Sequence, residues 1–177
     1  MSSLLLSISG HDRPGIVCDV AEALLHLKAN IEDSSMTALR GRFTMMLIVR
    51  LAEGESLGEL KAALAELEQR TGLSVRSQSI SDDEANAPAV QPDHVITVHG
   101  ADKAGIVYAV TRALNELAVS IVDVSTQTRV TDQGDVYLMV LEVAAGEQSK
   151  AMQAALDGVA NSIDVDVDLH VLDDAVL

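Results

Sequence analysis

The chain has 177 residues, 48% of them hydrophobic and 2% aromatic, with a mean hydropathy of +0.23 and a formal net charge of −15. That apolar content excludes a disordered chain, the apolar runs fall short of the roughly 18 residues a membrane span needs, and the charge disfavours nucleic acid, whose affinity comes mostly from Lys and Arg on phosphates. The single cysteine, Cys18, excludes an intrachain disulfide and a thiolate metal cluster. With no basic, cleavable leader at the start, a cytoplasmic protein is expected.

In chain order, Leu4–Ile8 reads as a short buried strand that runs into Gly10 and a turn. Pro14 is expected in the first turn of a helix, where its missing N–H costs little. Ile16, Val17, Val20, Ala21, Leu24 and Leu27 follow at helical spacing. Ile31 to about Arg40 looks extended, Arg40-Gly41-Arg42 marks a turn, and Phe43–Val49 reads as an interior strand. Gly54 breaks the chain. Leu57, Leu60, Leu64 and Leu67 form a second amphipathic stripe, ended by Gly72, and Leu73–Ile80 is a last strand. The order is β-α-β-β-α-β.

The same order then repeats. It runs through Val95–Val98, a helix over Ala104–Leu117, Ile121–Val130, a turn at Asp132-Gln133-Gly134 and Val136–Val143. A helix with Met152, Leu156, Val159 and Ile163 follows, then Val165–Val171. The repeat is also literal: Gly10-His11-Asp12-Arg13-Pro14-Gly15-Ile16-Val17 returns as Gly100-Ala101-Asp102-Lys103-Ala104-Gly105-Ile106-Val107, and Gly10–Ser35 holds twelve identities in 26 positions at a constant offset of 90. The chain is one module written twice. The hairpin is expected to be about three residues longer in the second copy, because Gly134 follows Gly41 by 93. Residues 1–81 form the first domain, 82–92 an unpatterned linker with two prolines, and 93–177 the second domain. Residues 94–177 carry a net charge of −9, which makes the second copy the better electrostatic match for a basic partner.

The repeated octapeptide carries the chemistry. A glycine at a strand end permits positive φ, Asp12 can accept from the N–H groups of the next helix, and Gly15 allows close approach. A helix start presents open N–H groups and partial positive charge, which suits a carboxylate. The loop is therefore suited to the carboxylate of a free amino acid, with Arg13 assisting by charge.

G-x-D-R-P-G-I-V closing a strand and opening a helix, in a βαββαβ unit, resembles the ACT domain, a small regulatory module of that fold. Two copies over nearly the whole chain resemble the glycine cleavage system transcriptional repressor family. The resemblance implies an α+β protein of two ferredoxin-like ACT domains, each an antiparallel four-stranded sheet with two helices on one face. It implies ligand contacts at Gly10, His11, Asp12, Arg13, Pro14, Gly15, Ile16 and Asn30, and in the second copy at Gly100, Asp102, Lys103, Gly105 and Ile106. The second motif departs from the pattern at Ala101 and Ala104, so the resemblance supports the first site better.

Other features have plainer readings. His11-Asp12 reads as a turn residue and a helix cap before it reads as a general base, and no nucleophile elbow, metal-ligand spacing or phosphate loop accompanies it. Asn30 reads as a helix C-cap or a ligand contact. Asp33 reads as a solvated strand residue. Asp164, Asp166 and Asp168 alternate along an expected strand, either as a solvated face that resists aggregation or as part of a divalent-metal site. Cys18 is expected to be buried and inert, and Met45, Met46 and Met139 to be core.

The function these readings support is non-enzymatic: a small amino acid, glycine or serine first, binds where the copies meet and alters affinity for a protein partner such as a transcription activator. No cofactor, no metal and no direct nucleic-acid or membrane contact is expected, and a homodimer is. A ligand-free interaction module, or a regulatory subunit of an amino-acid or one-carbon enzyme, is the alternative.

Overall fold

A computed structural model describes residues 3–52, 57–132 and 134–172 of the chain. It divides into two compact units, residues 1–88 and 89–177. Unit 1 contains β1 (Ser3–His11), α1 (Ile16–His26), β2 (Asn30–Leu39), β3 (Arg42–Arg50), α2 (Leu57–Thr71), β4 (Ser74–Ile80) and a one-turn helix, α3 (Asp82–Ala85). Unit 2 contains β5 (His94–Ala101), α4 (Ile106–Glu116), β6 (Ser120–Thr131), β7 (Gly134–Ala144), α5 (Ser149–Ile163) and β8 (Asp166–Val171).

Each unit is one antiparallel four-stranded sheet, in the order β2-β3-β1-β4 and β6-β7-β5-β8. The period of two decides which face is covered. Leu4, Leu6 and Ile8 of β1 and Phe43, Met45, Leu47 and Val49 of β3 point into the core beside Ile16, Val20, Leu24, Leu60, Leu64 and Leu67 of the helices. Unit 2 repeats this with Ile96, Val98, Met139, Leu141 and Val143 against Ile106, Val110, Leu114, Met152 and Leu156. Each full burial of such a side chain contributes about 1.5–3 kcal/mol. The strands β2 and β6 lie beyond the helices: all their residues are exposed, Met36, Leu39, Val124 and Val130 included.

Several expectations change at the level of single residues. Met46 is 54% exposed, because it stands one residue out of phase with buried Met45. Cys18 is an exposed free thiol, and Val17 and Ala21 face solvent, because Ala23 and not Ala21 completes the buried stripe of α1. Asn30 does not cap α1. The helix ends in a Schellman turn, with Ala29 N–H donating to Leu24 O (3.0 Å), Lys28 N–H donating to Leu25 O (2.9 Å) and Lys28 at φ 48°. Unit 2 ends α4 the same way through Ala118 and Val119. Asn30 instead opens β2 opposite Arg50.

The hairpin of unit 2 is longer by four residues rather than three. Opposite Gly10 and Gly100 stand Phe43 and Tyr137, so the offset after the turn is 94. The insertion adds the pairs Val130↔Asp135 and Thr131↔Gly134, so both strands lengthen. The expected turn residue Gln133, the break at Gly54 and the last residues of the second domain, 173–177, lie outside the described residues.

The segment expected to be a linker starts as structure. Ser81 and Glu84 form a reciprocal capping box that opens α3. Ser3 Oγ donates to Asp82 Oδ1 (3.4 Å), and Arg50 Nη2 reaches both Glu32 Oε2 (3.0 Å) and Asn86 Oδ1 (3.4 Å). Residues 82–86 are thus fastened to unit 1.

Gly10 lies in β1 without positive φ, and an added Cβ there would sit 2.7 Å from Leu73 Cδ2 and 3.4 Å from Leu73 Cα. Its role is close packing, not turning. Gly10→Ala is expected to destabilise unit 1 by about 1–3 kcal/mol, and Gly100→Ala, whose nearest contact is 3.1 Å from Val165 Cγ1, to cost less. Urea unfolding of the two variants checks the order.

Candidate functional site

The two octapeptide loops build the same backbone. Asp12 N–H donates to Gly41 O (2.9 Å) and Asp102 N–H to Asp135 O (3.2 Å), which ties each loop to its hairpin. Gly15 (φ 85°) and Gly105 (φ 99°) are the N-caps of α1 and α4, both left-handed, so only glycine enters these helices without strain. Pro14 therefore precedes the cap and is not in the first turn. No side chain caps either helix, so Asp12 does not play the expected role. In α1 the first N–H, that of Ile16, donates to Arg13 O (3.4 Å), and the groups that follow it lie in front of the helix start.

Around this frame, His11 is the exposed last residue of β1, opposite Arg42. Arg13 pairs with Asp19 of the first turn and donates from Nη1 to Pro14 O (3.2 Å). Ile16 and Ile106 are buried and anchor the helix starts. Lys103 Nζ reaches Asp164 Oδ2 (3.2 Å), and Asp102 Oδ2 accepts from Thr128 Oγ1 (3.4 Å). Gly10 and Gly100 belong to the sheet packing. Asn30 sits beside Arg50, at the Ser3 end of the sheet, whereas the loop leaves from the His11 end. Strand rise separates them by roughly 25 Å. Unit 1 therefore gathers Asp12–Ile16 and leaves Asn30 apart.

The alternating carboxylates separate as well. Asp164 is the C-cap of α5 at φ 53°, and only Asp166 and Asp168 lie on β8. Asp166 Oδ2 meets His99 Nε2 at 3.3 Å. Among the described residues no group of three or more His, Cys, Asp or Glu is placed to hold a metal ion. No described helix is long and apolar enough to cross a membrane.

Two arrangements bring in residues that the sequence did not single out as site residues: Tyr108, Thr111 and Tyr137 in one, Asp93, His94 and Ser149 in the other. In the first, an open cavity of about 490 Å³ in front of α4 is lined by Lys103, Gly105, Ile106, Tyr108, Thr111 and Tyr137. In the second, His94 is 4% exposed; its Nδ1 meets Asp93 Oδ1 (2.6 Å) and its Nε2 meets Ser149 Oγ (2.8 Å). Asp93 also accepts the N–H groups of Ala145 (2.8 Å) and Gly146 (2.6 Å). The order Asp-His-Ser resembles a hydrolytic triad, but the imidazole is sealed among these partners, and the cluster fastens the start of β5 to the loop before α5. The only sequence trace of it is a polar pair directly before an apolar strand.

Burial pushes the Asp93 carboxyl up, but the Ala145 N–H, His94 and the Gly146 N–H outweigh it and hold the group at about 2, below its ordinary 3.8. Its contribution to stability is therefore whole above about pH 4 and gone near pH 2. Asp93→Ala is expected to cost about 1–3 kcal/mol at pH 7 through orphaned N–H groups. The gap between parent and variant, measured by urea unfolding, should close as pH falls through that window.

The model of the ACT domain family matches residues 2–78 and 93–170, once per unit. A UPF0237 protein of Methanopyrus kandleri is 38% identical over 76 residues, which cover 42% of this chain and 84% of that protein. A UPF0237 protein of Methanococcus maripaludis is 33% identical over 79 residues, 44% of this chain and 88% of that protein. Among solved structures, an unknown protein from Galdieria sulphuraria matches with TM-score 0.78 and 28% identity, covering 97% of this chain and 99% of that one. A candidate glycine cleavage system transcriptional repressor matches with TM-score 0.75 and 19% identity, covering 98% of each chain.

Proposed function

The chain belongs to the ACT domain family, and from that premise we propose that it is a non-enzymatic, amino-acid-responsive regulator. A small amino acid, glycine or serine first, binds at a loop–helix junction, Arg13–Ile16 or Lys103–Ile106, and changes the affinity of the chain for a protein partner in the cytoplasm. The observation that carries this reading is the doubled helix start: a left-handed glycine, no side-chain cap and a cation two residues earlier. That is what a carboxylate needs. A ligand shifts the protein only by its differential affinity for two states.

The likeness in fold to a candidate glycine cleavage repressor supports regulation of glycine and one-carbon metabolism as the setting. Output through a protein, such as a transcription activator, fits the charge of −15, which opposes direct contact with DNA. The open edges of β2 and β6, with exposed Met36, Leu39, Val124 and Val130, are where a second copy would pair. The same exposed edges favour the second reading, a ligand-free interaction module.

A thermal-shift screen of the twenty amino acids separates the two. One or two small amino acids should raise the melting temperature, since a ligand at 100 times its Kd adds about 2.7 kcal/mol. A flat response across the set supports the interaction module. In a gel shift at physiological salt, the purified protein alone is expected to leave promoter DNA unshifted; a specific complex would overturn the indirect mode of action.

A further inference from the structure

In each unit the long helices lie on one face of the sheet, and the other face is bare. The bare face of unit 1 shows Leu5, Met46 and Ile48, which alternate with the core residues of β1 and β3. Leu5 and Ile48 are half-buried and Met46 is exposed. The bare face of unit 2 shows Val95, Leu138 and Val140, all half-buried. An apolar centre on a twisted sheet is a surface that a second sheet can cover, at about 10 Å between the two.

The two bare faces carry opposite charge. In unit 1, Arg42, Arg50 and Arg76 stand opposite His11, Ser3 and Ser7 of β1. Arg50 is held by Glu32, and α3 brings its acids to that end, where Ser3 meets Asp82. Arg42 and Arg76 are exposed and enter no ion pair among the described residues. Asp33 shares this face, and its Oδ1 accepts from the Ser34 N–H (2.7 Å). In unit 2, Asp123, Glu142, Asp166 and Asp168 stand on the face, with Arg129 and His170 beside them. His99 meets Asp166. Asp123 and Glu142 are direct cross-strand partners. Like charges so placed weaken a sheet, and among the described residues no cation pairs with either. A cation from another molecule removes that cost.

We propose that a second copy of this chain covers these faces, the bare face of unit 1 in one copy packing on the bare face of unit 2 in the other. Arg42 and Arg76 meet Asp123, Glu142 and Asp168 around the two apolar centres. Each copy offers one basic and one acidic face, so two copies satisfy each other reciprocally. Four strands about 4.8 Å apart and about seven residues long make a face of roughly 400 Å². Two reciprocal contacts bury about 1,600 Å² in total, the size of a standard stable interface. The inference goes beyond the amino-acid-responsive reading and does not rest on it. It uses neither the helix starts nor the edges of β2 and β6.

The test is sedimentation equilibrium of the full chain and of two charge reversals, Arg42→Glu with Arg76→Glu, and Glu142→Lys with Asp168→Lys. The parent is expected to be a dimer that loosens as salt rises. Each reversal gives a chain whose two faces share one sign, and each should weaken self-association at least tenfold. An equimolar mixture of the two reversals should recover the parent's affinity, because each reversed face then meets its opposite on the other chain. The substituted positions are exposed, so the urea midpoints should hold; that of the Glu142→Lys chain holds or rises, since the repulsion from Asp123 is gone. Recovery on mixing supports the reciprocal contact. A monomeric parent, a dimer indifferent to salt, or a mixture that fails to recover overturns it. So does a reversal that dimerises as tightly as the parent, the result expected if copies pair only through the β2 and β6 edges.

Discussion

Each unit depends on a single backbone constraint, the left-handed residue at which its first helix begins. Gly15 and Gly105 turn the chain from the end of a central strand into a helix that lies back over the sheet. A side chain at that φ is strained, and a conventional capping residue would occupy the β region and point the helix elsewhere. Because the cap is glycine, no hydroxyl or carboxylate of its own satisfies the helix start. The same constraint that closes the fold leaves it with an anion-seeking end, and Ile16 or Ile106, buried one residue later, holds that end in place.

The two units show how much chemistry can change around a frame kept constant. Both end their first helix through a Schellman turn, both bulge their second strand after Ile31 or Ile121, and both pair the same strands in the same order. Yet Asp19 becomes Ala109, Phe43 becomes Tyr137, and the hairpin gains two strand pairs. Of these changes only Phe43 to Tyr137 falls within the core that holds the helices to the sheet. Core packing is dense and tolerates little change, whereas the rim of a helix start and the tip of a hairpin tolerate a great deal.

Polar groups supply fastenings that the apolar pattern does not. Asp93 and His94 join β5 to the loop before α5, and Arg50 with Glu32 and Asn86 holds the segment after β4 to unit 1. The acidic surface and the uncovered second strands leave each sheet with an open edge bearing apolar side chains. Such an edge is ordinarily shielded, and in both units it is exposed.

The sequence by itself determined the two modules, their β-α-β-β-α-β order, the interior position of Phe43–Val49 and the loop–helix junctions. Apolar periodicity and a repeated octapeptide are local signals, and local signals survive in one dimension. Only the tertiary structure decided what depends on neighbours distant in the chain. Gly10 serves Leu73 and not a turn, because strand pairing and helix return bring residue 73 onto it. Met46 and Cys18 face solvent, because the register of one strand and the rotation of one helix choose which apolar residues the core has room for. Asn30 is drawn away from the loop by the length of β1. Tyr137 reads in the sequence as one more strand aromatic. Its burial, and the Thr126 side chain beside its hydroxyl, exist only once β7 is laid against β5 and β6. Burial and hydrogen-bond satisfaction are properties of a site's whole surroundings, and no window of sequence contains them.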